Sequence, residues 1–132
     1  MLKRIKVRLY PTKQKKEVLD NHINAYRYLY NLSLEYKIMM YKDYGINKSG
    51  FDLQNEIFEL RKEVDWLAKC KAECLRDAGL NVDKTFKKFF KGSGYPKFKS
   101  KRSRQSFTAY QSINVKNNRL SFFKQKIKFK TS

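Results

Sequence analysis

The segment LKRIKVRLYPT, residues 2–12, decides how this chain begins to fold. Apolar and cationic side chains alternate along it, which is the two-residue period of a half-buried β-strand with a cationic outer face. Pro11 ends the strand because proline cannot donate to a sheet hydrogen bond, and Thr12 then stands where a helix N-cap would. We therefore predict a strand over residues 2–10 and a helix directly after Thr12.

Two helices are predicted next. The first keeps a 3.6-residue apolar period over about eight turns and stops at Gly45. The second is capped by Ser49 and Asp52 and ends near Val64. The apolar stripe of the first helix is predicted to consist of Val18, Leu19, Ile23, Tyr26, Tyr30, Leu34, Ile38 and Tyr41.

A third helix is predicted over residues 67–91. Gly79 lies inside it, and because a mid-helix glycine costs about 1 kcal/mol against alanine, we expect the helix to bend or loosen there. The buried face of this helix is predicted to hold Leu67, Cys74, Ala78, Val82, Phe86, Phe89 and Phe90.

Short alternating segments after the third helix predict a β-rich tail. The Asn117-Asn118 pair suits a tight turn between two of its strands. The first strand is expected to pair with strands far along the chain, so the fold class is α+β, with three helices inserted into a small sheet or barrel. The predicted strands of the tail are residues 106–110, 113–115, 120–123 and 127–129.

Charge is distributed along the chain in three blocks. Residues 1–16 carry seven basic and no acidic side chains. Residues 17–83 carry nine basic and twelve acidic side chains, and residues 84–132 carry fifteen basic and no acidic ones. The net charges are +7, −3 and +15, within a total of +19. Solvated surfaces usually mix both signs, so a long tract without a carboxylate indicates a polyanion-binding surface. Nucleic acid is the expected partner.

The residue pattern does not predict a catalytic centre, a metal site or a cofactor. Metal-dependent nucleases need carboxylates that converge on two cations, whereas every carboxylate here lies between Glu17 and Asp83, in the helical block. His22 is the only histidine and is expected to pack against the first helix's apolar stripe. Cys70 and Cys74 are predicted to be reduced, half-buried thiols.

The sequence predicts a cytoplasmic protein with no membrane partner. Met1 is followed by charged residues, and no stretch of about 18 apolar residues occurs. A cationic protein of the membrane surface is the weaker interpretation, because the cations concentrate in loops and strands and not along one helical face.

A basic loop, defined here as residues 93–107, interleaves cations with aromatic rings. Lysine and arginine release counterions from phosphates, and exposed rings can stack on unpaired bases. In the alternative interpretation, Phe98 and Phe107 belong to the core and only the cations are outside. The residues of this pattern are Tyr95, Lys97, Phe98, Lys99, Lys101, Arg102, Arg104 and Phe107.

Several segments together resemble the TnpB family of insertion-sequence-encoded, RNA-guided DNA nucleases. The resemblance spans the whole chain, with five motifs in the family's order. They are RLYPT at residues 8–12, YLYN at 28–31, DWL at 65–67, FKKFFKG at 86–92, and YPKFKSKR at 95–102 followed by QSFT at 105–108. In such proteins, this region is often described as a helix-turn-helix transposase domain.

The resemblance implies a partial wedge-type β-barrel interrupted by a three-helix recognition bundle. Its divisions are residues 1–11 for the first wedge strand, 12–92 for the helical recognition domain, and 93–132 for the basic loop and remaining wedge strands. The resemblance also implies contacts with a guide RNA and with the DNA motif flanking the target. Family positions that read this motif fall on Phe51, Asn55, Ala72, Glu73, Arg76, Thr108 and Ala109.

This sequence departs from the family pattern at most of those reading positions. Thr108 keeps the usual residue, Phe51 keeps an aromatic ring without the tyrosine hydroxyl, and Ala72 with Glu73 replaces a lysine-aromatic pair. Phosphate contacts with RNA and DNA are therefore expected to dominate. The predicted nucleic-acid-binding residues are Arg4, Lys6, Arg8, Lys88, Lys91, Lys97, Lys99, Lys101, Arg102, Arg104, Tyr95, Phe51, Arg76 and Thr108.

The family's RuvC-like nuclease domain and zinc ribbon have no counterpart in these 132 residues. We therefore expect a truncated or split reading frame, or a fragment, that does not cut DNA by itself, and a separate nuclease chain is a further candidate partner. The alternative is a non-functional remnant with incidental nucleic-acid affinity. Its unfinished barrel would expose an unpaired edge strand near residues 127–129, which invites aggregation.

Overall fold

A computed structural model describes residues 6–102, 106–109, 113–116, 119–122 and 125–131. The chain divides into two compact units, Met1–Asp20 with Ala109–Ser132, and Asn21–Thr108. The expected α+β class is confirmed. The elements are β1 (Val7–Tyr10), α1 (Lys13–Tyr44), α2 (Gly50–Glu63), α3 (Asp65–Ala68), α4 (Ala72–Phe90), β2 (Ile113–Lys116), β3 (Arg119–Phe122) and β4 (Gln125–Thr131).

The first unit contains an antiparallel sheet with the strand order β1-β4-β3-β2. The expected pairing of the first strand with a distant one is confirmed, because Leu9 of β1 lies opposite Phe129 of β4. Leu9 is half-buried while Arg8 is exposed, as the alternating sequence predicts. Phe122 of β3 and Ile127 of β4 are buried. Within the described residues the sheet is open, with β1 and β2 at its edges.

Two predictions for the β-rich tail are wrong. The segment 127–129 is not an unpaired edge, because β4 is hydrogen-bonded to β1 on one side and to β3 on the other. Residues 106–109 do not form a strand. The predicted turn at Asn117-Asn118 and the first residues of the N-terminal strand lie outside the described residues.

Local signals set both ends of α1. The Thr12 hydroxyl accepts a hydrogen bond from the Lys15 amide at 3.4 Å, so the predicted N-cap is confirmed. Gly45 has a φ of +68°, and its amide donates to the carbonyl of Tyr41 at 3.0 Å. This left-handed conformation suits glycine, which has no Cβ to clash, and it ends the helix.

The buried face of α1 is rotated relative to the predicted stripe. Tyr41 was expected to be buried but is 67% exposed, because it lies beyond the last turn that packs into the core. The buried side of the helix instead includes polar positions that apolar periodicity does not mark. Its buried residues are His22, Ala25, Tyr26, Leu29, Tyr30, Ser33, Leu34 and Lys37.

The predicted third helix is two helices, α3 and α4. Lys71 adopts an extended backbone between them, with φ −65° and ψ 127°. The carbonyls released by this break bind Arg61, whose guanidinium donates to Ala68 at 3.0 Å and to Cys70 at 2.8 Å. The Lys71 amide donates to Nε2 of His22 at 3.0 Å. Contacts from α1 and α2 therefore stabilise a break that the local sequence does not signal.

Gly79 of α4 packs closely against α2. A Cβ at this position would lie 3.0 Å from the Cβ of Leu53 and 3.0 Å from the backbone nitrogen of Gln54. Helix α4 continues through Gly79, so the expected loosening is not found, and the glycine serves helix packing instead. Phe90 is predicted to be buried but is 78% exposed, because it is the last residue of α4 and lies beyond the core.

The second unit is built around one hydrophobic core shared by all four helices. Hydrogen bonds across this core join α1 to α4. Asn81 Nδ2 donates to the Tyr26 hydroxyl at 2.6 Å, and the Tyr30 and Thr85 hydroxyls are hydrogen-bonded to each other at 3.0 Å. Burial of these rings with their hydroxyls bonded leaves no polar atom unpaired there. The core consists of Ala25, Tyr26, Leu29, Tyr30, Leu34, Leu53, Ile57, Leu67, Cys70, Leu75, Ala78 and Val82.

Candidate nucleic-acid interface

The basic loop leaves the end of α4 as an irregular chain. Gly92, with a φ of +110°, follows the last turn and makes the change of direction possible. Pro96 of the loop is buried, and it belongs to the second unit (Asn21–Thr108, the helical unit). The predicted cations on either side are exposed at Lys88, Lys91, Lys97, Lys101 and Arg102.

Asn31 of α1 holds the middle of the basic loop. Its carboxamide nitrogen donates to the Lys99 carbonyl at 2.8 Å, and its oxygen accepts from the Lys99 amide at 2.7 Å. The Lys99 ammonium lies 4.7 Å from the ring centre of Tyr30, a cation–π contact. Lys99 is thus half-buried, unlike the predicted phosphate-binding lysines on either side of it.

The aromatic rings of the basic loop divide between the surface and the core. Phe98 is 56% exposed, whereas Phe107 is half-buried and stacks on His22 with ring centres 5.4 Å apart. The core interpretation therefore holds for Phe107 and fails for Phe98. Tyr95 is exposed and meets Phe89 edge-on at 5.2 Å. Two rings of the loop, those of Phe98 and Tyr95, are thus presented to solvent among its cations.

A second group of cations lies on the outer side of the sheet, in the other unit. In antiparallel pairs, directly opposed residues point to the same side. Tyr10 and Arg119 both lie opposite Lys128, so this side continues from β1 across β4 to β3. Lys6 is exposed just before β1. We define the cationic sheet face as the exposed side chains Arg8, Lys116, Arg119, Lys126 and Lys128.

Sequence reasoning named Arg8 on this face and missed the other four cations. The same alternation of apolar and cationic residues in β2, β3 and β4 could have identified them. Arg4 and Arg104, also predicted to bind nucleic acid, lie outside the described residues.

The positions that the family uses to read DNA are spread over several elements. Phe51 and Asn55 are exposed one turn apart on α2. Arg76 is exposed on α4, and its guanidinium carbon lies 5.9 Å from the ring centre of Phe58 on α2. Thr108 is also exposed.

The remaining reading positions are less accessible. Ala72 and Glu73 are half-buried in the first turn of α4. Ala109 is also half-buried, and it belongs to the sheet-containing unit.

Lys37 and Lys87 both pair with the carboxylate of Asp83, Lys37 from a buried position and Lys87 from an exposed one. Lys37 is buried, and its ammonium donates to the Asn47 side chain at 2.8 Å and pairs with Asp83 at 3.6 Å. Lys87 pairs with the same carboxylate at 3.2 Å. Residues 84–132 contain no Asp or Glu, so any carboxylate partner for the basic loop must come from another segment.

The described part of the chain holds no group of three or more His, Cys, Asp or Glu side chains arranged to bind a metal ion. None of its helices combines the length and the apolar character needed to cross a bilayer.

Burial raises the pKa of the Cys74 thiol to about 12 and that of Cys70 above its ordinary value. Both thiols are free and fully buried, further inside than predicted.

Comparison with known families finds a match over the first third of the chain. Residues 1–45 match the helix-turn-helix domain model of the IS605 OrfB family. The described part of this match consists of β1, α1 and Gly45, and the turn to α2 follows directly. A search of curated proteins finds no match. The first third of the chain is thus similar to the helix-turn-helix domain of the IS605 OrfB family, in agreement with the family resemblance of its motifs.

Proposed function

We propose that this chain is a nucleic-acid-binding region of a TnpB-like transposon protein, and that it acts chiefly through phosphate contacts. The observation that carries the proposal is the tract of residues 84–132, which has fifteen cations and no carboxylate. Where the structure describes this tract, most of its cations are exposed on the basic loop and the sheet. The match to a helix-turn-helix domain of a transposon family supports the same conclusion.

We further propose that the partners are a guide RNA and the DNA flanking its target, in the cytoplasm. The family motifs support this, as do the exposed side chains of Phe51, Arg76 and Thr108 at family reading positions. Because most reading positions differ from the family's usual residues, backbone phosphates supply most of the affinity in this proposal, and base contacts contribute little. The sheet would form part of a wedge barrel in the full assembly.

Cleavage is proposed to require residues outside this chain, supplied by a separate nuclease chain or domain. The distribution of carboxylates supports this, since all twelve lie between Glu17 and Asp83 and those described belong to or flank helices. The rival idea of an aggregating remnant rested on an unpaired strand at residues 127–129. Since β4 is paired on both sides, that support is lost.

An ionic-strength titration tests the binding proposal. Labelled duplex DNA and structured RNA are titrated with the purified chain at several salt concentrations, and fluorescence anisotropy gives the affinity. We expect log affinity to fall linearly with log salt concentration, each neutralised phosphate adding about 0.9 to the slope on duplex DNA. A flat salt response would overturn the proposal. Cutting of DNA by the purified chain with magnesium would contradict the assignment of cleavage to other residues.

A further inference from the structure

A groove of about 460 Å³ lies in the helical unit between α1, α3 and the basic loop. Its volume is within the range of about 300–1,000 Å³ that is typical of small-ligand sites. Phe98 is the only one of its lining residues that was predicted from the basic-loop pattern. The lining residues are Asn24, Arg27, Tyr28, Asn31, Leu32, Glu35, Trp66 and Phe98.

Helical spacing explains why one side of α1 lines the groove. Asn24, Tyr28, Asn31 and Glu35 recur every three or four residues, which places them on one side of the helix. This side differs from the one that enters the core. One side of α1 therefore packs into the core, and another side lines the groove.

Three aromatic rings form the apolar part of the groove and are left open to solvent. Tyr28 is 46% exposed, Trp66 is 43% exposed, and Phe98 is 56% exposed. Tyr28 and Trp66 touch edge-to-face with ring centres 5.4 Å apart. Burying large rings stabilises a protein, so three exposed rings around one groove indicate a surface for a planar partner.

The backbone next to Phe98 is held beside the groove before any ligand binds. Its neighbour Lys99 is fixed to α1 by the two hydrogen bonds from Asn31. Trp66 lies in the short helix α3, whose carbonyl at Ala68 binds Arg61. Because the backbone on both sides of the groove is already held in place, binding a ligand there costs little conformational entropy.

The polar groups of the groove favour a base over a phosphate. The Glu35 carboxylate would repel a phosphate but can accept hydrogen bonds from the amino group of a nucleobase. Arg27 donates to Asn24 at 3.1 Å, which places amide and guanidinium edges beside the rings. The cations suited to the phosphates are those of the basic loop, at Lys97 and Lys101.

We propose that this groove binds an unpaired nucleobase of a single-stranded nucleic acid, stacked against Phe98 and Trp66. The proposal rests on the function proposed above and adds to it a preference for unpaired over duplex strands. Stacking requires only the flat face of a base, so binding depends weakly on sequence. The chemistry is shared by RNA and DNA, and the experiment below compares the two.

Trp66 is the only tryptophan of the chain, so its fluorescence reports on the groove directly. The full chain is titrated with short single-stranded RNA, with DNA of the same sequence, with a blunt duplex, and with a single strand that lacks bases. We expect quenching of Trp66 emission by whichever natural single strand binds, and no quenching by the duplex or the abasic strand.

Two variants separate stacking from phosphate binding. Phe98→Leu removes a ring of the groove that is 56% exposed. Tyr44→Leu removes a ring that is 68% exposed, at the far end of α1. Because one stacked base contributes about five- to 150-fold in affinity, we expect Phe98→Leu to weaken single-strand binding by such a factor and Tyr44→Leu to leave it unchanged.

The outcomes distinguish the groove from the broader function. If single strands bind without changing Trp66 emission and Phe98→Leu binds like Tyr44→Leu, the groove proposal is overturned and phosphate binding stands. If neither single strands nor duplex bind at low ionic strength, the proposed function fails as well.

Discussion

Asn31 and Lys99 pair side chain to backbone across 68 positions of sequence, through hydrogen bonds of 2.8 and 2.7 Å. The carboxamide satisfies both the carbonyl and the amide of Lys99, as a neighbouring strand would. The described part of the basic loop around Lys99 thus gains a fixed position on α1 without forming a helix or a strand. The conformation of the basic loop depends on this pair of residues.

Replacing Asn31 by Ala should release the basic loop. Two part-buried hydrogen bonds are lost and the Lys99 peptide is left unpaired, so we expect the free energy of unfolding to fall by about 1–3 kcal/mol. Urea denaturation measures this loss, and hydrogen exchange should show reduced protection of the Lys99 amide. Asn55→Ala on an exposed side of α2 is the control, with a change within about 0.5 kcal/mol. Unchanged protection at Lys99 would show that the pair does not hold the loop.

Single lysine replacements in the basic loop should lower the salt dependence of binding. Lys97→Ala and Lys101→Ala each remove one exposed cation, and each should reduce the slope on duplex DNA by about 0.9 if that cation contacts a phosphate. Lys62→Ala is the matched control, because Lys62 pairs with Glu59 at 3.4 Å and belongs to residues 17–83, the block with a net negative charge. Equal slopes for all three variants and the parent chain would exclude the loop as the phosphate-binding surface.

A methyl group at position 79 should weaken the contact between α2 and α4. Alanine favours a helix over glycine by about 1 kcal/mol, but its Cβ would lie 3.0 Å from Leu53 and from the Gln54 backbone. Overpacking of this kind costs about 1–3 kcal/mol, so Gly79→Ala should lower the urea midpoint. Gly94→Ala, where an added Cβ meets nothing within 4 Å, should not. A midpoint for Gly79→Ala at or above that of the parent chain would contradict this packing role.

The capping box of α2 should make stability depend on pH in the acid range. Hydrogen bonds from the Ser49 backbone and side chain lower the pKa of Asp52 below its ordinary value of 3.8. The unfolded chain then binds the proton more readily, so this contribution is present above pH 3.8 and is lost as the pH falls through the lower folded pKa.

Asp52→Asn should remove that dependence, measured as the urea midpoint against pH. Ser49→Ala should keep most of it, because the backbone amide of Ser49 contributes most to the lowered pKa. This variant should instead lose about 1 kcal/mol at every pH, as capping residues do. An acid dependence in Asp52→Asn equal to that of the parent chain would show that the cap is not its source.

The two cysteines should resist alkylation while the chain is folded. Burial, followed by the nearby Glu73 carboxylate, raises the pKa of Cys74 to about 12, and Cys70 is also buried with a raised pKa. Only the thiolate reacts, so iodoacetamide at neutral pH should modify both residues in urea and neither in buffer, as mass spectrometry can show. Modification at equal rates in both conditions would mean that the thiols are accessible in the native state.

The sequence predicts those parts of the fold that local signals control. The alternation in β1, the Thr12 cap and the Gly45 stop each depend on residues a few positions apart, and all three are confirmed. The break between α3 and α4 was missed because Arg61 and His22, from other helices, stabilise it. Strand order was missed for the same reason, since nothing local shows that β4 has two neighbours.

The candidate interface was predictable in its charge but not in its shape. Composition alone identified the basic loop, and its exposed cations are where the sequence placed them. Phe98 is exposed and Phe107 is half-buried because it is Phe107 that stacks on His22. This contact joins distant segments, so the local sequence does not show it. The groove brings together Tyr28, Trp66 and Phe98 from three elements, so no single motif could reveal it.

The pairing of β1 with β4 sets an order of events during synthesis. β1 is translated before the helical unit, yet its partner strand β4 is made only after residue 124, when the helical unit has already been translated. Domains tend to fold as units during translation, and contacts between distant segments form slowly. The nascent chain therefore carries β1 without its partner strand while the helical unit is made, and the pairing of β1 with β4 can form only after that unit has been translated.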